Sequence, residues 1–103
     1  NLIKNVGALK NVIALPVDFH LGRPYPNPFN PVTTITYDVP LDCEIKLSIY
    51  DIQGRLVKEI ISDYIAAGYY EIQWHAGTAA SGVYFLRLVT PEKAITRKMI
   101  LMK

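Results

Sequence analysis

Three observations in this 103-residue sequence predict an all-β fold, an immunoglobulin-like antiparallel β-sandwich of about seven strands. From Val32 onward, apolar and polar residues alternate in short runs, the period of a half-buried strand. Turn residues interrupt these runs every ~10–15 residues, the spacing of antiparallel sandwiches. No segment carries a helical apolar period, and half of the residues are hydrophobic, enough for a packed core.

The elements follow in order. Val17–Leu21 is expected as a first edge strand. Residues 23–31, RPYPNPFNP, hold Pro24, Pro26, Pro28 and Pro31, four of the seven prolines. Proline lacks a backbone donor and biases its predecessor to extended geometry, so this stretch reads as an irregular strap. Phe29 within it reads as an anchor onto the sandwich edge. Val32–Val39 places Ile35, Tyr37 and Val39 on one face. Cys43–Tyr50 places Cys43, Ile45, Leu47 and Ile49 on one face. Asp51-Ile52-Gln53-Gly54 is a type I turn, with Asp opening it and Gly closing it. Arg55–Ser62 returns as the next strand, and a second turn ends at Ala67-Gly68. Tyr70, Ile72 and Trp74 then alternate inward, residues 76–82 form a loop, and Val83–Val89 and Ile95–Met102 complete the fold around Pro91-Glu92-Lys93. The expected core is Ile35, Tyr37, Ile45, Leu47, Ile49, Ile72, Trp74, Tyr84, Leu86 and Leu88.

Composition excludes several classes. The net charge of +2, from 11 basic and 9 acidic residues, is too balanced for a dedicated nucleic-acid binder. A single cysteine, Cys43, rules out an intrachain disulfide and any cysteine-based metal site. No apolar run reaches the ~20 residues that span a bilayer as a helix. The chain begins at Asn1, as expected of a piece of a longer protein, so the lack of a leader carries no information.

Candidate chemistry is sparse. Cys43 and His75 are the residue types of a thiol nucleophile and its base, but Cys43 lies in phase with the core and no orienting group is marked. Asp18 and His20 share one side of a strand, yet two ligands do not make a metal site. Tyr50, Tyr64 and Tyr69 at outward or loop positions offer stacking surfaces for sugars, while Tyr37, Tyr70, Trp74 and Tyr84 follow the inward phase. The strap lacks the flanking basic pattern of a polyproline ligand. The tail is distinct: from Lys93 on there are four basic residues (Lys93, Arg97, Lys98, Lys103) and no acid. That pattern fits either a recognition strip for an acidic partner or an edge strand protected by lysines.

The residues also resemble a known family. Tyr25-Pro26-Asn27-Pro28-Phe29-Asn30-Pro31 followed by Val32-Thr33-Thr34-Ile35 is similar to the opening of type A C-terminal sorting domains of the type IX secretion system. Leu47-Ser48-Ile49-Tyr50-Asp51-Ile52-Gln53-Gly54-Arg55 resembles that family's hairpin. Ala67-Gly68 with Trp74, Ser81-Gly82-Val83-Tyr84-Phe85 and Arg97-Lys98-Met99-Ile100-Leu101 resemble its later strands in order. Arg23-Pro24 depart from the Gln-Asn that often precedes the family's tyrosine. The sequence is further similar to the immunoglobulin-like part of flagellar hook-capping proteins.

The resemblance implies a non-catalytic address label at the C-terminus of a secreted cargo, with no cofactor and no bound metal. It implies passage through the periplasm, recognition by the outer-membrane translocon, and processing by a sortase-like peptidase that attaches the cargo to the cell surface. The address would lie on Lys98, Met99, Ile100, Leu101, Met102 and Lys103. The cut would fall within residues 1–22, a linker with room for the first edge strand, ahead of the sorting domain at 23–103. Two other readings remain at this level, a structural spacer and a carbohydrate-binding module on an extracellular enzyme. Residues 17–21, hinged on the strap, also suggest a strand-swapped homodimer.

Overall fold

A computed structural model describes residues 15–103. It contains seven strands, β1 (His20–Leu21), β2 (Val32–Val39), β3 (Cys43–Asp51), β4 (Leu56–Ile65), β5 (Gly68–His75), β6 (Gly82–Val89) and β7 (Ala94–Leu101), and no helix among the described residues. They form two antiparallel sheets, one ordered β1-β2-β5 and the other β4-β3-β6-β7. This is the predicted all-β, immunoglobulin-like sandwich.

Alternation explains how the two sheets meet. In β2, Thr33, Ile35, Tyr37 and Val39 are buried while Thr36 is exposed. In β3, Cys43, Ile45, Leu47 and Ile49 are buried, and in β6 Tyr84, Leu86 and Leu88. Register aligns these sets, with Leu47 opposite Leu88 and Ile49 opposite Leu86. Each Leu or Ile fully buried this way stabilises the fold by about 1.5–3 kcal/mol. Phe19, Leu21, Phe29, Met99 and Leu101 join the same cluster. Of the expected core, Ile72 is only partly buried, as is Tyr70 on the same inward phase, because β5 is an edge strand and leaves one flank open.

An aromatic chain ties the layers together. Trp74 on β5 lies 5.5 Å from the Phe29 ring and 5.6 Å, edge-on, from Tyr84 on β6. Two tyrosines also close connections between the sheets by donating to a carbonyl four residues upstream. Tyr70 Oη donates to Ala66 O and Tyr84 Oη to Ala80 O. This is the tyrosine-corner device of Greek-key sandwiches, which satisfies a phenol that is otherwise packed in apolar surroundings.

The structure moves several strand boundaries. The first strand is only His20–Leu21, since Val17 is 98% exposed and cannot pair inward. β4 runs to Ile65, and β7 ends at Leu101, leaving Met102 and Lys103 beyond it. β4 is the far edge of its sheet, and two register shifts against β3 bulge it, which blunts an otherwise open edge. The chain packs tightly where it leaves the first strand: a Cβ at Gly22 would collide with Thr36 Oγ1 and force that side chain aside.

The β3–β4 hairpin is an Asp-centred turn. Gly54 N donates to Asp51 O, and Gly54 sits at φ +83°, the left-handed region that suits glycine. Asp51 Oδ1 accepts from the backbone N–H groups of Gln53 and Arg55, each at 2.9 Å. The Arg55 N–H above all, with the Arg55 guanidinium and the Gln53 N–H adding to it, holds the Asp51 carboxyl below its usual range. A carboxyl with a depressed folded pKa stabilises above its unfolded value and loses that contribution as pH falls through the folded one. The hairpin amides of the parent should therefore exchange faster as pH drops below ~4, relative to their intrinsic rates. Asp51→Asn should remove that acid-dependent step; a step that persists in the variant would assign it to another group.

Candidate functional site

The structure brings the strap and the tail, predicted separately, into one seam. From Gly22 the chain leaves β1, crosses the open flank of the sandwich to β7, and returns to enter β2. Tyr25 bridges Thr34 on β2, and Phe29 bridges Leu101 on β7 in parallel. Prolines supply no donors along this path, so the remaining groups carry the pairing. Phe29 N donates to Ile100 O at 2.9 Å, and Met102 N donates to Phe29 O at 3.0 Å. Asn27 uses both ends of its amide: Nδ2 donates to Lys98 O at 3.0 Å and Oδ1 accepts from Ile100 N at 2.9 Å. Thr33, fully buried, donates its hydroxyl to Pro26 O at 2.8 Å, which satisfies a polar group inside the core and holds the strap down.

The consequence for the tail is specific. The outer backbone edge of β7 from Lys98 to Met102 is already paired, so it offers no template for a strand from another chain. Met99 and Leu101 are 0% and 1% exposed, which places two of the six predicted address residues in the core. Lys98, Ile100, Met102 and Lys103 remain at the surface, with Ile100 partly covered. Lys103 is tethered, its N–H donating to Ser81 Oγ and its Nζ to Gly77 O. Register sets Phe85 beside Lys98 and Val83 beside Ile100, and Tyr50 beside Phe85. The surface next to the tail is thus an apolar patch flanked by cations.

Of the strap motif, only Phe29 is buried. Tyr25, Pro26, Asn27, Pro28, Asn30 and Pro31 are exposed. Asn27→Ala should destabilise the domain by about 1–3 kcal/mol, the net worth of its two hydrogen bonds to Lys98 O and Ile100 N. Chemical denaturation would measure this, and a change within a few tenths of a kcal/mol would mean water replaces the amide.

Other candidates fall apart on placement. Cys43 starts β3, next to the end of β2, whereas His75 pairs with Val32 at the start of β2. Seven residues of strand, ~23 Å, separate those ends. Burial pushes the Cys43 thiol up, the wrong direction for a nucleophile. Native protein should leave Cys43 unlabelled by a thiol reagent at pH 8 and react fully in denaturant; rapid native labelling would contradict its burial. Asp18 is spent on Lys93 Nζ at 3.0 Å and on the Phe19 N–H, while His20 is exposed. Among the described residues no group of three His, Cys, Asp or Glu is clustered. Tyr64 and Tyr69 are exposed near the β4–β5 connection, but Tyr50 lies at the other end of β3, so the three make no common platform.

Sequence reasoning missed the contact between Asn27 and β7, 71 residues away, and the part played by Arg23 and Arg97 described below. Nothing local signals such a pairing. A usable hint was Thr33, a polar residue in the buried phase of β2 that needs a partner from outside the sheet.

The family model described as "Secretion system C-terminal sorting domain" matches residues 23–102. Among solved structures, the chain is similar to PorZ of Porphyromonas gingivalis, described as an essential bacterial surface component of the type-IX secretion system. The identity is 22% and the TM-score 0.56, over 95% of this chain and 13% of PorZ. No curated protein matches.

Proposed function

Because the chain belongs to the secretion system C-terminal sorting domain family, a sorting signal of type IX secretion, we propose that it serves as a non-catalytic label read in its folded state on the outward side chains of its closing strand. The label directs an upstream cargo domain through the outer-membrane translocon to the cell surface, by way of the periplasm. The observation that carries this reading is the division of labour in the tail. Strap bonds occupy the backbone edge and the core holds Met99 and Leu101, so Lys98, Ile100, Met102 and Lys103 are what a partner meets. A sortase-like peptidase would cut within residues 1–22; residues 1–14 of that segment lie outside the described structure.

The test is export. Residues 1–103 are fused behind a signal peptide and a fluorescent reporter in a bacterium with a working type IX system. The parent fusion should reach the surface, and the Lys98→Glu/Lys103→Glu fusion should stay in the periplasm while keeping a cooperative thermal melt. Equal export of both would mean that these cations are not read, and would favour a structural spacer.

A strand-swapped homodimer is the finer partner proposal. Release of β1 would take Phe19 and Leu21 out of the core and break the Gly22 N to Thr36 O bond, contacts that a second copy would restore. Light scattering across a concentration series should show a dimer; monomer throughout would remove it.

A further inference from the structure

Where the strap approaches β7 there is a cleft of about 280 Å³, lined by Arg23, Pro24, Asn27, Thr96, Arg97 and Lys98. Three of these residues are cationic and none is acidic. The ion pairs among the described residues are Lys46–Glu59, Arg55–Asp51 and Lys93–Asp18, so no carboxylate lies within pairing distance of Arg23, Arg97 or Lys98. Residues 1–14 contain no Asp or Glu, so that segment cannot supply one either.

We propose that this cleft is an oxyanion-binding site, and that its ligand is a carboxylate on an acidic segment of a partner protein. Arg97 is the organising group. Its Nε donates to Leu21 O at 2.8 Å, which pins the half-buried side chain, and its two terminal nitrogens make no hydrogen bond among the described residues. A guanidinium held this way presents a planar fork suited to a carboxylate. Asn27 is held to the β7 backbone through both ends of its amide, so one wall of the cleft is fixed. Cations of one sign gathered in a cleft focus the field and raise the local concentration of an anion.

The surroundings favour a protein carboxylate over a free ion. Lys98 shares its strand face with the partly covered Ile100, and Met102 just beyond is 60% exposed. An acidic peptide that also carries apolar side chains would neutralise the cleft and cover these groups together, whereas a free anion would meet the charge alone. That the export machinery supplies this segment rests on the function proposed above; the cleft itself does not.

The test uses the full chain, isotopically labelled and titrated with the synthetic peptide Glu-Leu-Glu-Leu-Glu, and separately with inorganic phosphate. Peptide should shift the Arg97 Nε–H and Asn27 side-chain resonances saturably. Arg23→Glu and Lys98→Glu, both at exposed positions, should each weaken binding about tenfold, as expected for reversing one charge against a carboxylate. Lys58→Glu, on the opposite edge of the same sheet, should not. Absence of saturable binding, equal affinity in all three variants, or shifts spread over Lys46, Lys58 and Arg87 would overturn the site. Displacement of the peptide by equimolar phosphate would overturn the choice of a protein ligand. Variants that lose the peptide but still export their reporter would keep the cleft and remove its use in secretion.

Discussion

Trp74→Ala is expected to lower the stability of the domain by about 3–5 kcal/mol, the cost of a large cavity in a core that cannot collapse around it. Trp74 is 4% exposed and stands between Phe29 of the strap and Tyr84 of the facing sheet. Removing the indole strips one side from each neighbouring ring and loosens Phe29, the aromatic anchor of the strap. For a domain this size the midpoint of thermal unfolding should fall by more than ~12 °C. Circular dichroism melts would measure it. A variant that melts within a degree or two of the parent would mean that the three rings do not pack as a unit.

Deleting residues 98–103 is expected to unfold the domain, not merely to silence a signal. The deletion removes Met99 and Leu101, both buried, and each is worth about 2–5 kcal/mol against alanine. It also leaves Phe29 N, Phe29 O and the Asn27 amide without partners, and strips the edge of β6. A domain of this kind has only ~5–15 kcal/mol of stability to lose. Far-ultraviolet circular dichroism and protease resistance of the truncated chain would decide. A truncated chain that keeps a cooperative melt near that of the parent would show that β7 is dispensable to the fold. Lost export after such a truncation would therefore not by itself locate an address, and surface charge reversals at Lys98 and Lys103 are the cleaner probe.

Much of the architecture was legible because alternation is a local property. The inward phases of β2, β3 and β6 could be read directly, as could Phe29 as an anchor and the Asp51–Gly54 turn. Where local reading fell short, an edge was involved. Val17 to Leu21 alternate well enough for a strand, but only His20 and Leu21 find partners on β2. Ile72 and Tyr70 follow the inward phase, yet an edge strand does not cover them fully. The tail's character was also visible as charge without acid, but whether that marked protection or recognition was not, because exposure of each side chain depends on what lies across from it.

Family membership rests on motifs in chain order, which sequence alone contains, and so does the absence of acids from the tail and from residues 1–14. What only the tertiary structure decided is that strap and tail are one site. Asn27 and Lys98 are 71 residues apart, and no periodicity links them. Their contact exists because β1 and β7 border the same open flank and a proline-rich chain, poor in donors, can lie across it with its few polar groups aimed at the β7 backbone. Pairing across the sandwich divided the tail into a buried half, Met99 and Leu101, and a readable half. It also gathered Arg23, Arg97 and Lys98 around a single cleft without a carboxylate among them.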